Sequence, residues 1–508
     1  MNNTFMNTLT EATNFDRTAN GALAHKSTGS KVYDMFALGG AYRKRSDEDC
    51  ILLFKNAYED NAELALKCLF YLRDCRGGQG ERRFFRLCFN WLCHEDPKAA
   101  LRNLIHLSEY GRWDDMLYAT KDTVVFAYAL EEIKRQLALD VQCKAPSLLA
   151  KWLPSENASS KETKAMATQV RTFLGMSHKE YRQILSELRK RINVLERLMS
   201  AGKWEEIEFD KIPSKAGLVY KNAFARRDLI AKKYETFAKS ENTKVNAKTL
   251  YPYEVVAQAI KDCSGWRYES KLSDTDRAMI EKYWNNLPDY LNGQPCSMMC
   301  VVDTSGSMTG REAAAPLNIA CSLGMYCAER IGGPFKDHYI SFSSEPQLIK
   351  IEGVDFVDKV CRIYRTNLCE NTNLIRTFAM LKQIALTPGV NKEDIPKTIV
   401  VISDMQIDSS GTLNWTRNGY ERIDCWTTES TATEMEKLQE EWAADGLELP
   451  RLVYWNVNAS KNTVLDKGPY VSFVSGASPI IFEQVIKGVT GYQLMLDKLM
   501  SDRYAVVK

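Results

Sequence analysis

From Gly293 onward the chain alternates short apolar runs with helical patterns, and this alternation constrains the fold more than any other feature. Met298–Val302, Tyr339–Phe342, Lys397–Ser403 and Leu452–Val457 are rich in Val, Ile and Tyr, as strands buried on both faces are. Between them Ala313–Ile331, Leu374–Ile384 and Thr431–Ala444 have helical spacing, and Thr431 with Glu434 reads as a capping box. The alternation predicts an α/β domain with a mostly parallel, doubly wound sheet. Asn292-Gly293-Gln294-Pro295 marks its start, and the aperiodic stretch Asp408–Thr428 reads as a long inserted loop.

Residues 1–292 read instead as helix after helix. Asp47–Cys75 is one long helical pattern with a capping box at Ser46 and Asp49. Arg76-Gly77-Gly78-Gln79-Gly80 ends it, and a second helix follows at Glu81–Cys93. Tyr181–Met199 places Tyr181, Ile184, Leu185, Leu188, Ile192, Leu195, Leu198 and Met199 on one face, with Ser177 and Glu180 as its capping box. The expected organisation is therefore α plus α/β: residues 1–292 helical, residues 293–508 doubly wound. No repeat of fixed period is visible, so stacked helix pairs would form an irregular solenoid.

Composition narrows the function classes. No apolar run approaches the roughly 18–20 residues that cross a bilayer. Met1–Arg17 has no apolar core of a signal peptide. The 14 cysteines include no C-x-x-C pair and the 5 histidines are scattered, which argues against zinc fingers and for reduced thiols in the cytoplasm. The formal net charge is only +2, yet residues 151–250 hold 21 Lys and Arg against 12 Asp and Glu. Such segregation is the footprint of phosphate binding. Its densest points are Arg189-Lys190-Arg191 and Arg226-Arg227 with Lys232-Lys233. The plainer reading is a solvated helix face paired with Glu187 and Glu196. A second candidate is the glycine-rich turn flanked by Arg73, Arg76, Arg82 and Arg83, where the backbone could approach a phosphate. It lacks the Gly-Lys-Ser/Thr of a Walker loop, and a tight inter-helix joint with arginines on Asp74 and Glu81 accounts for it equally. Lys151 and Lys215 complete the basic candidates for RNA contact. Trp113 and Trp152 are candidates for core packing or for base stacking.

The sharpest motif is Asp303-Thr304-Ser305-Gly306-Ser307, directly after the strand Met298–Val302. At the carboxyl end of a parallel strand the chain turns and leaves polar side chains in the ligand crevice. One carboxylate and two hydroxyls spaced by two are hard oxygen donors, suited to Mg²⁺ or Mn²⁺ rather than zinc. Thr372, just before a helix, and Asp404, just after the strand ending at Ser403, stand where further ligands are needed. An Asp–Ser network without metal is the plainer reading. A haloacid-dehalogenase-type phosphatase would need Asp at position 305, and a serine hydrolase would need Gly-x-Ser-x-Gly; neither fits.

These residues resemble the metal-ion-dependent adhesion site of von Willebrand factor A (vWA) domains. Asp303, Ser305 and Ser307 match the first motif, Thr372 the second-loop threonine and Asp404 the third-loop aspartate. The likeness implies a Rossmann-like vWA domain over residues 293–508 whose metal keeps a position open for a partner's carboxylate. The third loop departs from the family pattern: it reads Ser403-Asp404-Met405-Gln406-Ile407-Asp408 without Asp-Gly, so Asp408 competes with Asp404 as ligand. The wider order also carries a likeness. It comprises Arg73–Arg82, Tyr110-Gly111-Arg112-Trp113-Asp114-Asp115, Leu148–Pro154, Leu185–Trp204, Pro213-Ser214-Lys215-Ala216, Val453-Tyr454-Trp455-Asn456 and Val474-Ser475-Gly476. It resembles a helical-plus-vWA family of eukaryotes and viruses, similar in layout to the TROVE proteins typified by the 60-kDa Ro autoantigen. That similarity implies HEAT-like helical repeats, ring-shaped in TROVE proteins, which hold single-stranded RNA ends in a basic hole and structured RNA outside. The expectation is a non-catalytic, Mg²⁺- or Mn²⁺-binding RNA-binding protein of the cytoplasm, the host's if viral. The alternative is a scaffold whose vWA metal site captures a protein partner without RNA.

Overall fold

The computed structural model describes residues 13–508 except 262, 265–268, 343–345, 367–373, 408–412, 417–418, 423–433, 463, 466–467 and 469. The chain divides into two compact units, neither of them continuous in sequence. One comprises Met1–Ser46 and Leu250–Leu499, the other Asp47–Thr249 and Met500–Lys508. The stretch 250–292 belongs to the first unit because the helix Pro252–Ile260 packs on Pro316–Arg330 and Phe356–Thr366, and the helix Asp274–Asn285 on Phe356–Thr366.

The first unit is built on a six-stranded sheet. In chain order its strands are β1 (Met298–Asp303), β2 (His338–Phe342), β3 (Gln347–Lys350), β4 (Thr398–Ser403), β5 (Arg451–Asn456) and β6 (Val471–Ser475). Their spatial order is β6-β5-β4-β1-β2-β3, with β3 alone antiparallel to its neighbour. β1 and β6 are buried at every residue, whereas the edge strand β3 buries only Ile349. β1 is an inner strand covered on both faces, whereas β6 and β3 are the two edges, and only β6 is covered, by the amino-terminal helix Lys31–Leu38. The helix Pro316–Arg330 covers the sheet with an almost entirely buried surface. The order reverses between β4 and β1, so a crevice opens where Asp303 and Asp404 leave adjacent strands.

The amino-terminal segment completes this unit. Ser30 caps the helix Lys31–Leu38, which packs on β6. The Tyr33 hydroxyl accepts the Phe473 amide proton at 2.7 Å, and the Ser475 hydroxyl accepts from the Gly40 amide and donates to the Phe36 carbonyl. The edge of β6 is thus covered, which removes a template for pairing with other chains. Leu23–His25 pairs with Phe15–Arg17, and His25 also exchanges backbone bonds with Val464. In the stretch expected as a loop, Leu413–Thr416 and Gly419–Arg422 form a short antiparallel pair. Thr431 lies outside the described residues.

The second unit is helical. The pattern expected as one helix over Asp47–Cys75 is two, Asp47–Asp60 and Ala62–Arg73, because the Asn61 side chain caps the second by accepting from the Leu64 amide. Tyr181–Met199 likewise divides into His178–Arg191 and Leu195–Ser200, with Asn193 at φ +51° between them. Asn tolerates this left-handed conformation better than most residues. The capping box of Ser177 and Glu180 is present. The glycine-rich turn is a tight joint: a Cβ on Gly78 would lie 1.9 Å from the Tyr71 carbonyl oxygen. Arg73 turns inward to Asp115 rather than to Asp74. Asp74, fully buried, is held instead by Arg503 and by the Tyr504 hydroxyl at 3.0 Å, which fastens Met500–Lys508 into this unit. Tyr504 stacks on Tyr110 at 5.6 Å.

Gly40 tests the contact of the amino-terminal segment with β6. A Cβ there would meet the Ser475 carbonyl oxygen at 2.7 Å and Gly476 Cα at 2.9 Å, all backbone. Gly40→Ala should lower stability by about 1–3 kcal/mol, as overpacking does. Urea unfolding of the full chain reads it, and an unchanged midpoint would show that the contact relaxes freely.

Candidate functional site

Asp303 ends β1 with its side chain wholly buried. One oxygen accepts the Ser305 amide proton at 2.9 Å, and the other accepts from the Ser403 hydroxyl at 2.5 Å. Ser403 is the last residue of β4, and its oxygen also accepts the Met405 amide proton at 2.9 Å. The Ser305 and Ser307 hydroxyls are 3.1 Å apart. Asp404 is buried as well, and its carboxylate accepts the Gln406 amide proton at 3.1 Å. The turn that presents it puts Met405 at φ +61°, a conformation that glycine adopts without cost. Here that position is a buried methionine.

Four of the five predicted ligands, Asp303, Ser305, Ser307 and Asp404, therefore meet at the ends of adjacent strands. Thr372 and the competing Asp408 lie outside the described residues. Burial first, then the nearby Asp404 charge, pushes the Asp303 carboxyl up to about 7. Burial also raises Asp404, against the pull of the Gln406 amide and the Ser307 hydroxyl. Neither carboxylate has a Lys or Arg ion-pair partner among the described residues, and the buried Thr304 hydroxyl has no hydrogen-bond partner. No group of three or more His, Cys, Asp or Glu gathers among the described residues, so the donors here are two carboxylates and hydroxyls. An uncompensated pair of buried carboxylates is costly, and an oxygen-loving cation would offset that cost.

Sequence reasoning missed what holds the third loop. The Thr18 hydroxyl donates to the Ile407 carbonyl at 2.7 Å, the Ala19 amide to Gln406 Oε1 at 2.6 Å, and Asn20 Nδ2 to the Gln406 carbonyl at 2.6 Å. A polar stretch almost 400 residues upstream carries no local signal for such a role. Ser403 was legible only as the residue before Asp404.

The basic candidates disperse. Arg189 donates to the Ala150 and Leu153 carbonyls and to the Ser155 hydroxyl, at 2.8, 2.9 and 3.0 Å. Arg191 donates to the carbonyls of Val141 and Cys143, at the end of the helix Phe126–Gln142. Both guanidiniums are occupied within the fold. Arg76 donates to the Glu109 carbonyl and Arg83 pairs with Asp47. Lys151 sits 5.5 Å from the centre of the Trp152 ring, and Arg227 covers Trp204 at 4.6 Å. Lys190, Arg226, Arg82 and Lys215 are exposed. Trp113 and Trp152 are both half-buried.

Two family models match the chain. One, described as domain of unknown function DUF7788, covers residues 297–492. The other, described as domain of unknown function DUF2828, covers residues 18–118 and 115–294. The second match ends at residue 294 and the first begins at residue 297. An uncharacterized protein of Acanthamoeba polyphaga mimivirus is 26% identical over 493 residues, covering 89% of this chain and 80% of its own. Among solved structures, the Ro (RSR) protein of Deinococcus radiodurans aligns with 11% identity and a TM-score of 0.43, over 95% of this chain and 99% of that one. No helix among the described residues is long and apolar enough to cross a membrane. With more than half of its length matched by one model, the chain belongs to the DUF2828 family.

Proposed function

We propose that this chain is a non-catalytic RNA-binding protein whose helical unit holds RNA and whose sheet unit, read as a Rossmann-like vWA domain, binds a divalent cation. The observation that carries the RNA reading is the segregated positive charge of residues 151–250 in a chain of net charge +2. Part of it is free for a ligand. Lys179, Arg182 and Lys190 lie on the helix His178–Arg191 at spacings of three and eight, which puts them on one face. All three are exposed, with no ion-pair partner among the described residues, as is Arg226. HEAT-like repeats are part of the same reading and rest on the TROVE-like order of motifs.

The cation reading rests on donor chemistry. Asp303, Asp404, Ser305 and Ser307 would hold Mg²⁺ or Mn²⁺, with Thr372 as a further ligand. The bound ion supplies positive charge that the two buried carboxylates lack. A second reading, capture of a partner's carboxylate at this site without RNA, is favoured by the exposure of Ser307 beside buried Asp303.

Two measurements test these readings. Lys179→Glu, Arg182→Glu and Lys190→Glu combined should weaken binding of a hairpin RNA with a single-stranded 3′ tail by more than tenfold at low salt. Fluorescence anisotropy reads it; the wild type should lose affinity steeply as salt rises. Absence of wild-type binding at low and near-physiological salt would sink the RNA reading and leave protein capture. For the metal, a proton competes with the cation at Asp303. A raised folded-state pKa means that the ionised carboxylate costs stability as pH rises through about 7. Mg²⁺ relieves that cost, so its stabilisation should be greater at pH 8 than at pH 6, about 1.4 kcal/mol at tenfold its Kd. Asp303→Asn should be insensitive to Mg²⁺ at both pH values. Equal Mg²⁺ response in the variant and the wild type would overturn the site.

A further inference from the structure

We infer that Arg82, Arg86 and Arg112 form a preorganised phosphate-binding site on the helical unit, the place where one phosphate of the RNA is gripped; this rests on the RNA reading above. The site begins with two neighbouring aspartates. Asp115, wholly buried, takes Arg73 through Nε at 2.8 Å and Nη2 at 2.6 Å, and takes Arg86 Nε at 2.6 Å. Asp114 takes Arg112 in a two-pronged pair, Nε at 2.9 Å and Nη2 at 2.5 Å. Gly111 makes the assembly possible, since a Cβ there would lie 2.3 Å from Asp115 Oδ2. The motif Tyr110-Gly111-Arg112-Trp113-Asp114-Asp115 thus acquires a physical reason.

The charges do not cancel. Arg73, Arg86 and Arg112 share the two carboxylates, and Arg82 stands one helical turn before Arg86 on the same helix, Arg82–Glu95. Four guanidiniums over two carboxylates leave an excess of two positive charges, enough for the single charge of an RNA phosphodiester and for an inorganic phosphate dianion. Arg82 is exposed and has no hydrogen-bond or ion-pair partner among the described residues. Partial burial, then the Arg112 and Arg86 charges, hold its pKa below the usual arginine value against the pull of Asp114 and Asp115. Arg86 also pairs with Asp114, Nη2 to Oδ2 at 3.0 Å, so it bridges both carboxylates.

The cations are also held in place. Arg112 lies over the Trp152 ring at 4.0 Å and Arg86 over Tyr118 at 4.7 Å. Stacked guanidiniums lose little freedom when a ligand arrives, and their planar forks match phosphate oxygens. Arg73 is enclosed and acts as a positioning residue for Asp115.

The test uses the full chain and two probes, inorganic phosphate and the tailed hairpin RNA. Tryptophan fluorescence should report saturable phosphate binding, since Trp152 lies under Arg112. Arg82→Ala removes no hydrogen bond, so it should melt as the wild type does. It should weaken phosphate binding by roughly tenfold or more. It should also lower the slope of log affinity against log salt for RNA by about 0.7–0.9. Arg82→Lys should recover only part, because a point charge replaces a fork. RNA binding with the same affinity and salt slope in Arg82→Ala and the wild type would overturn the site and leave the RNA reading intact. Phosphate binding that depends on Arg82 in a protein that binds no RNA would do the reverse. Failure of the wild type to respond to phosphate would also overturn the site.

Discussion

The sheet unit's site depends on one hydroxyl. Ser403 gives its single proton to Asp303 and takes the Met405 amide proton, so one oxygen ties the end of β1 to the turn that follows β4. The turn it fixes carries Asp404 and then Gln406, which the amino-terminal Ala19 and Asn20 grip in turn. The chain of dependence runs from a serine side chain to a backbone conformation to a second carboxylate. It also sets the electrostatics. A donor to Asp303 lowers its carboxyl, but burial and Asp404 outweigh that donor, which leaves the site proton-accepting near neutrality.

Arginine in the helical unit behaves differently from the lysine around it. Arg189 and Arg191 lie at the centre of the densest basic run, yet their protons go to carbonyls of neighbouring segments. Arg73 and Arg503 go to buried aspartates. A guanidinium has five donors in a rigid fork and can satisfy helix-end carbonyls that would otherwise be orphaned. Counting charges along the chain therefore overstates the positive surface, whose exposed part includes Lys179, Arg182, Lys190 and Arg226. The cluster around Asp114 and Asp115 is the instructive exception, because there the arginines outnumber the acceptors.

These differences explain what was legible in the sequence. The inner strands could be read because full burial leaves an unbroken apolar run, as in Met298–Val302 and Ile399–Ile402. Asp303 and Asp404 could be read because strand ends expose the next polar residue. β6 was not read as a strand: Val471–Ser475 interrupts its apolar residues with buried Ser472. The helix breaks at Asn61 and Asn193 escaped because the apolar spacing continues across them; a side-chain cap in one case and a left-handed residue in the other turn the chain. Nothing local marks Thr18, Tyr33 or Gly40, whose roles exist only through partners hundreds of positions away.

A boundary at 292/293 describes where composition changes. It does not describe what is needed to build the crevice. Residues 293–499 alone would leave the Phe473 amide without Tyr33, the Ser475 hydroxyl without Phe36, and the Gln406 side chain without Ala19. Each loss is a polar group of the edge strand or the site loop released from its partner, and each such group buried without a substitute costs about 1–3 kcal/mol. The amino-terminal segment is thus part of the site's scaffold, and the geometry around Asp404 belongs to the folding of both stretches together.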